Sequence, residues 1–403
     1  MGDFLSIKRK PSTIERKLIL TPLKAYLTRK FRIEIIRNDT IDLKPPYIIL
    51  SNHTNNWDPL IINCFVEEPI CFVAAAPLFR HPLLKKVLDY TGAIPKTKAR
   101  FDTSTIRNML AAKKHNRVIG IFPEGNRCWD GQTESIVQST AKLVKLLNIP
   151  VVIGTIQGGY LTHPRWADSD RTGKISLSLE KKWDVDEFKD ADIETIHNKL
   201  TEALSFDELA WQQEQGIAYK GERLANYLER LLYVCPSCNT IGSLHSEDDL
   251  FSCRSCDYSV RYNEYGSFEP KNKPLFYRYV HEWNDWQLQY TKKNLFAAGH
   301  ETAWRDVLKT EVKLFVSEHE RPLMLLSTGN LTWHKDHILF TPSNNSDPIR
   351  FSIDKLDGVN VHMNSKLDFH YDERMIRMDF FHPRTSAYMW YQILKLSSAQ
   401  EEG

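Results

Sequence analysis

The sequence predicts an α/β domain built on a mostly parallel sheet flanked by helices. A short cysteine-bearing segment follows it, and then a C-terminal α+β domain for which a PH-like arrangement is suggested. Three observations lead there. From about residue 32 to 215, short apolar runs alternate with helical patterns. Four cysteines then fall in two Cys-x2-Cys pairs. Beyond residue 311 the pattern changes to short strand-like runs separated by turn signals such as Thr-Gly-Asn and Asn-Asn-Ser.

At 403 residues, 42% hydrophobic and 26% charged, the chain exceeds one ordinary domain and can bury a core. The expected division is 1–33, 34–215, 216–270 and 271–403. The net charge is only +2, yet residues 1–33 carry nine Lys or Arg against Asp3 and Glu15, which makes this arm a basic patch. Ser12-x-x-Glu15 reads as a capping box. Ile14, Leu18, Ile19, Leu23, Tyr26 and Leu27 recur among basic residues around Pro22, predicting an amphipathic helix with a proline kink. Such a helix either packs on the domain behind it or lies in an anionic lipid surface, where each Lys or Arg contributes roughly 1 kcal/mol. No apolar run approaches about 18 residues, so no transmembrane helix is predicted. Pro59–Phe79 is broken by Glu67-Glu68-Pro69 and reads as helix, turn and strand.

In the first domain the predicted strands are Arg32–Arg37, Tyr47–Leu50, Ile70–Ala74, Arg117–Phe122, Pro150–Ile156 and Lys174–Leu179, with helices at Thr103–His115 and Ser135–Leu147. Strands that read as continuous apolar runs belong to a sheet covered on both faces, and functional groups in such folds collect at strand ends. A charged helical stretch, Val185–Leu232, leads to the cysteines. A Trp- and Tyr-rich helical stretch, Leu275–Ala298, follows them, and a helix at Thr385–Leu396 closes the C-terminal strands.

Two strand ends carry chemistry. The run Tyr47–Leu50 leads into Asn52-His53-Thr-Asn-Asn-Trp-Asp58-Pro59. Positions five apart on a helix lie about 140° apart, so His53 and Asp58 can meet only across a loop. Asp before Pro supplies one, with Asp58 as N-cap and Pro59 as the first helical residue. The pair is then either an ordinary capped turn or an imidazole held in one tautomer by a carboxylate, equipped as a general base. The run Val118–Phe122 ends in Pro123-Glu124-Gly125-Asn126-Arg127, either a turn with a surface ion pair or a second functional strand end.

Taken together, these segments resemble the glycerolipid acyltransferase family, which includes the 1-acylglycerol-3-phosphate acyltransferases. Its His-x4-Asp motif stands as His53 to Asp58 and its Phe-Pro-Glu-Gly motif as Phe122 to Gly125. Its phosphate-binding block stands as Gly92 to Lys98, with Lys98 in the usual arginine position, and its apolar fourth block as Ile149 to Val152. The resemblance covers roughly residues 35–180. It implies direct acyl transfer from acyl-CoA or acyl carrier protein to the hydroxyl of a lysophospholipid, with no metal or catalytic cofactor in that step. His53 is then the base and Asp58 its orienting carboxylate. Glu124 and the Gly125 backbone order the acceptor and support the oxyanion, while Lys98 and Arg127, beside Asn126, hold a phosphate. Lysine is a point charge rather than a planar fork, so Lys98 offers less geometric selectivity for phosphate. Cys128 is read as a bystander. With an acceptor lipid in a bilayer and no signal-peptide pattern, the expected location is cytoplasmic, peripheral on the inner face of a membrane, with the basic arm on an anionic surface. The rival readings are a CoA-independent phospholipid transacylase, similar to tafazzin, and a non-catalytic zinc-ribbon interaction protein on an acyltransferase-like scaffold.

Cys235-x2-Cys238 and Cys253-x2-Cys256 are separated by fourteen residues, a spacing that predicts a structural four-thiolate zinc ribbon with no open coordination position. Between Cys235 and Tyr265 only Arg254 and Arg261 oppose five acidic residues. Such a surface repels phosphates, so no nucleic-acid partner is expected.

Overall fold

Tyr47 to Leu50 is buried on both sides, the burial its unbroken apolar run requires. Ile48 and Leu50 join one core cluster with Ile119, Val151 and Ile153, while Tyr47 and Ile49 join the opposite one with Val118, Val152 and Ile70. Period-two alternation alone accounts for that split. The computed structural model describes residues 7–80, 82–96, 103–297, 301–318 and 322–401. It divides into two units, Met1–Pro164 with Asp170–Lys220, and Arg165–Ser169 with Gly221–Gly403.

The first unit runs α1 (Thr13–Phe31), β1 (Glu34–Asn38), β2 (Ile48–Ser51), α2 (Asp58–Phe65), β3 (Ile70–Ala75), α3 (Pro82–Thr91), β4 (Ile94–Lys96), α4 (Thr103–Lys114), β5 (Val118–Ile121), α5 (Ser139–Leu147), β6 (Val151–Gln157), α6 (Gly159–Thr162), β7 (Ser176–Trp183), α7 (Ile193–Leu204) and α8 (Glu208–Gln215). Its sheet has the order β1-β7-β6-β2-β5-β3-β4. All pairings are parallel except β6 with β7, so the mostly parallel α/β expectation holds. At the centre of β5 a Cβ on Gly120 would lie 2.5 Å from the Phe72 ring. Only a glycine lets that ring lie across the strand.

Helix α1 carries the predicted capping box: Ser12 Oγ accepts from Glu15 N at 3.2 Å, and Glu15 Oε2 accepts from Ser12 N at 3.1 Å. Its apolar residues point two ways. Leu27 and Phe31 are buried in the domain core, with Leu20 and Leu23 against it, whereas Ile14, Leu18, Ile19 and Tyr26 are exposed. Arg16 pins the helix by donating to the carbonyls of Asn63 and Val66 at 2.8 and 2.7 Å.

Three helical stretches are shorter than their sequence patterns suggested, the third being Leu275–Ala298, of which Val280–Asn294 is helical. Residues 135–138 stay outside α5 because the chain there is held by the preceding turn, Glu134 N donating to Glu124 Oε2 and Val137 N to the Pro123 carbonyl. The stretch Val185–Leu232 resolves into α7 and α8, capped by Asp192 and Asp207, and ends at Gly216 with φ +60°. The left-handed conformation there stops the helix.

The second unit begins with a four-stranded antiparallel sheet of β8 (Leu244–Glu247), β9 (Leu250–Cys253), β10 (Ser259–Tyr262) and β11 (Phe268–Pro270). Helices α9 (Val280–Asn294) and α10 (Glu301–Val307) follow, the second unmarked in the sequence pattern. Then come β12 (Lys309–Glu318), β13 (Met324–Trp333), β14 (His337–Pro342), β15 (Ile349–Ser352), β16 (Asp357–His362), β17 (Lys366–Tyr371), β18 (Arg374–Phe380) and α11 (Ala387–Glu401). These seven strands form one antiparallel sheet, order β15-β14-β13-β12-β18-β17-β16. With its single closing helix it is the α+β arrangement expected. Trp333 and Trp390 are core residues.

Candidate active site and cysteine cluster

Strand β2 ends at Ser51, and the next residue fastens its end. Asn52 Nδ2 donates to the Ile156 carbonyl and Asn52 Oδ1 accepts from Ile156 N, both at 2.8 Å, joining the ends of β2 and β6. The loop then delivers His53, whose Nδ1 lies 2.8 Å from Asp58 Oδ2. The expected loop contact is therefore formed, but not through the expected cap. Trp57 occupies the N-cap position without a side-chain cap bond, and Asp58 is the first helical residue. Its carboxylate turns back onto the loop, where Oδ2 also takes the amides of Thr54 and Asn55 at 2.7 and 2.8 Å. Three converging N–H donors outcompete the forward amides of the helix. Asp58 is wholly buried, whereas His53 remains part-exposed.

The strand end at β5 supplies the other wall. Phe122 stacks on the imidazole, ring centroids 4.2 Å apart at 23°, and Phe72 stacks on Phe122 at 5.6 Å. Glu124 clasps two backbones: Oε1 accepts from His53 N at 2.7 Å and Oε2 from Glu134 N at 2.9 Å. Burial pushes its carboxyl up to about 8, against the opposing pull of those two amides. Gly125 takes φ +69°, and its N–H closes the turn onto the Phe122 carbonyl at 3.0 Å. Half-buried Asn126 and Arg127 continue this turn. Burial pushes the Arg127 guanidinium down, and the charge of Asp58 opposes that shift. Cys128 N donates to the His53 carbonyl at 2.9 Å. Its thiol is pushed well up by burial, the opposite of what a nucleophile needs. A shallow cleft beside His53 is lined by Thr54, Glu124, Gln132, Thr133 and Phe206. The structure thus gathers His53, Asp58, Glu124, Gly125, Asn126 and Arg127 at two neighbouring strand ends; Lys98 lies outside the described residues.

Sequence reasoning missed Glu208. It is buried at the start of α8, its Oε2 accepting from Gly158 N at 3.0 Å and its Oε1 from Leu161 N at 3.1 Å. No local pattern marks such a residue, and its partners lie about fifty positions away.

In the second unit Cys235, Cys238, Cys253 and Cys256 converge, all four Sγ atoms within 4.8 Å of one another. Cys235–Cys256 and Cys238–Cys253 are each separated by 3.7 Å. A tetrahedral ion with metal–sulfur bonds of about 2.3 Å requires sulfur–sulfur edges of about 3.8 Å, so the cluster fits zinc. Ser255 N donates to Cys253 Sγ at 3.4 Å, an outer-shell bond of the kind that orients thiolate ligands.

Residues 32–156 match the family model described as Acyltransferase. This segment is similar to the acyltransferase family. The matched segment contains every proposed residue of the first site, from His53 to Arg127. Over 114 residues the chain is 30% identical to the 1-acyl-sn-glycerol-3-phosphate acyltransferase of Borreliella burgdorferi, covering 28% of this chain and 46% of that protein. Over 207 residues it is 23% identical to a probable 1-acyl-sn-glycerol-3-phosphate acyltransferase of Mycoplasma genitalium, covering 49% and 72%. The match therefore spans less than half the length of the first of these relatives. The crystal structure of the 1-acyl-sn-glycerophosphate (LPA) acyltransferase PlsC from Thermotoga maritima is similar at a TM-score of 0.43 and 20% identity, over 53% of this chain and 86% of that one.

Proposed function

We propose that this protein transfers a fatty acyl group from acyl-CoA or acyl carrier protein to the hydroxyl of a lysophospholipid such as 1-acylglycerol-3-phosphate, in phospholipid synthesis or remodelling. The observation that carries the reading is the 2.8 Å contact of His53 Nδ1 with a buried carboxylate. A buried carboxylate there supports the tautomer with the proton on Nδ1, which leaves Nε2 for proton transfer. An alcohol is too weakly acidic to attack a thioester unaided near neutral pH. His53 takes the hydroxyl proton as the oxygen attacks the carbonyl carbon, and the carbon–sulfur bond breaks as the tetrahedral intermediate collapses. The thiolate leaves with that proton. Asp58 stabilises the transient imidazolium, Glu124 and the Gly125 turn hold the two loops in register, and Arg127, Asn126 and Lys98 receive the acceptor's phosphate.

Membrane contact is supported by α1. Its exposed Ile14, Leu18, Ile19 and Tyr26 lie among basic residues, and its Tyr26 and Phe31 rings approach Trp57 of the His53 loop at 6.2 and 6.3 Å. A helix lying in an anionic surface would bring the site to its lipid. Among the described residues no helix is long and apolar enough to cross a membrane, which suits peripheral binding; we place the protein on the cytoplasmic, inner face. The four cysteines would hold a structural zinc whose contribution is to fold and brace their segment.

Purified protein incubated with radiolabelled acyl-CoA and a panel of lysophospholipids tests the function. Label should appear in a diacyl product, and retention of the wild-type rate by His53→Ala would remove the proposed base.

A further inference from the structure

We propose that Glu208 is a positioning residue for His53, acting through α6 and the amides that clasp Asp58. The inference rests on reading His53 as the base. Glu208 fixes α6 by accepting the amides of Gly158 and Leu161 at 3.0 and 3.1 Å. Helix α6 in turn holds the His53 loop, because Asn55 Nδ2 donates to the Gly159 carbonyl at 3.2 Å and to Thr162 Oγ1 at 2.9 Å. Gly159 also seats against Thr54: a Cβ there would come within 2.1 Å of Thr54 Oγ1. The backbone amides of Thr54 and Asn55 are the two donors that share Asp58 Oδ2 with His53 Nδ1. Each link is a direct contact, and the chain of contacts runs from Glu208 to the imidazole without a gap.

A buried carboxyl group is costly to hold. Burial pushes the Glu208 carboxyl up to about 8 against the amides of Leu161 and Gly158. An aliphatic side chain would avoid that cost but would orphan both amides. Charged and titratable groups around this path include Asp58 and Glu124 at His53, Arg127 opposite Asp58, Tyr219 beside Glu208, and Cys128, which feels both Glu124 and Glu208.

The test measures the His53 imidazole pKa by NMR titration of the full chain, assigned with His53→Gln, alongside kcat and KM for acyl transfer. Wild type, Glu208→Gln, Asp58→Asn and the double variant are compared. Glu208→Gln keeps the side-chain shape but can accept only one of the two amides. It should lower the His53 pKa in the same direction as Asp58→Asn and lower kcat about tenfold, with KM changed less than about twofold. In the Asp58→Asn background it should add less than about a twofold effect, because both changes act through one contact. An unchanged His53 pKa, or fully additive effects, overturns the proposal. Should Glu208→Gln fail to fold, Asn55→Ala cuts the same path at α6 and is judged by the same criteria. The imidazole titration decides the matter even if no acyl transfer is found, an outcome that would instead sink the proposed function.

Discussion

Asp58 Oδ2 lies 2.8 Å from His53 Nδ1 and is shared with the backbone amides of Thr54 and Asn55. The carboxylate therefore shapes the loop and aims the ring at once. Asp58→Asn replaces an acceptor with a group that presents an amide to three donors. Acyl transfer should fall by roughly 10²- to 10⁴-fold, and the urea midpoint should fall as well, since the substitution disturbs buried bonds. His53→Ala should reduce the rate over the same range with little loss of stability, because that ring is part-exposed. Equal stability losses in the two variants would contradict this division of roles.

Glu124 makes stability depend on pH in a direction unusual for a carboxylate. Its native pKa, about 8, lies above the roughly 4.3 of an unfolded glutamate. Between those values the native state binds more protons than the unfolded state, so its contribution falls as pH rises through that window. Urea midpoints of wild type and Glu124→Gln at pH 5 and pH 8 read this out. Wild type should lose stability relative to the variant on going to pH 8.

Gly120 couples strand packing to the site. A methyl group there meets Phe72 at 2.5 Å and Ile70 at 2.8 Å, and Phe72 stacks on Phe122, which stacks on His53. Gly120→Ala should cost about 1–3 kcal/mol by overpacking and lower kcat too, measured by chemical denaturation and transfer assay on the same preparation. Full activity with reduced stability would show that the rings absorb the strain before it reaches His53.

Helix α1 offers a clean surface test. Ile14 and Leu18 are 74% and 72% exposed, so Ile14→Glu with Leu18→Glu should leave the thermal midpoint unchanged. Removing two side chains, each worth about 1.5–3 kcal/mol when fully buried, should weaken binding to anionic vesicles by more than tenfold in a flotation assay. Undiminished flotation would remove these residues from any membrane contact.

The cysteine cluster predicts one zinc per chain by elemental analysis. Cys253→Ser should release it and unfold its segment, because a structural site contributes folding energy outright. Loss of metal with an unchanged urea transition would make the ion incidental.

The cysteine spacing, the apolar strand runs and the two strand-end motifs were legible in the sequence because each is a local pattern whose chemistry depends on residue type and separation. His53 and Asp58 are five positions apart, and a loop was the one geometry that could join them. The details of that loop were not legible. Asp58 looked like a forward cap, and only the folded chain shows three donors turning it backward. The two apolar sides of α1 were likewise merged into one stripe, since periodicity does not say which residues meet the core and which meet solvent.

By itself, then, the sequence determined the class of sheet, the four-cysteine cluster and the residues that meet at the two strand ends. Tertiary structure alone decided how those side chains are held. Glu124 ties His53 to Glu134, and Glu208 reaches back about fifty residues to Gly158 and Leu161. The physical reason is that a buried carboxylate is specified by whichever amides lack partners around it. Those amides are brought together only when distant strand ends are packed side by side.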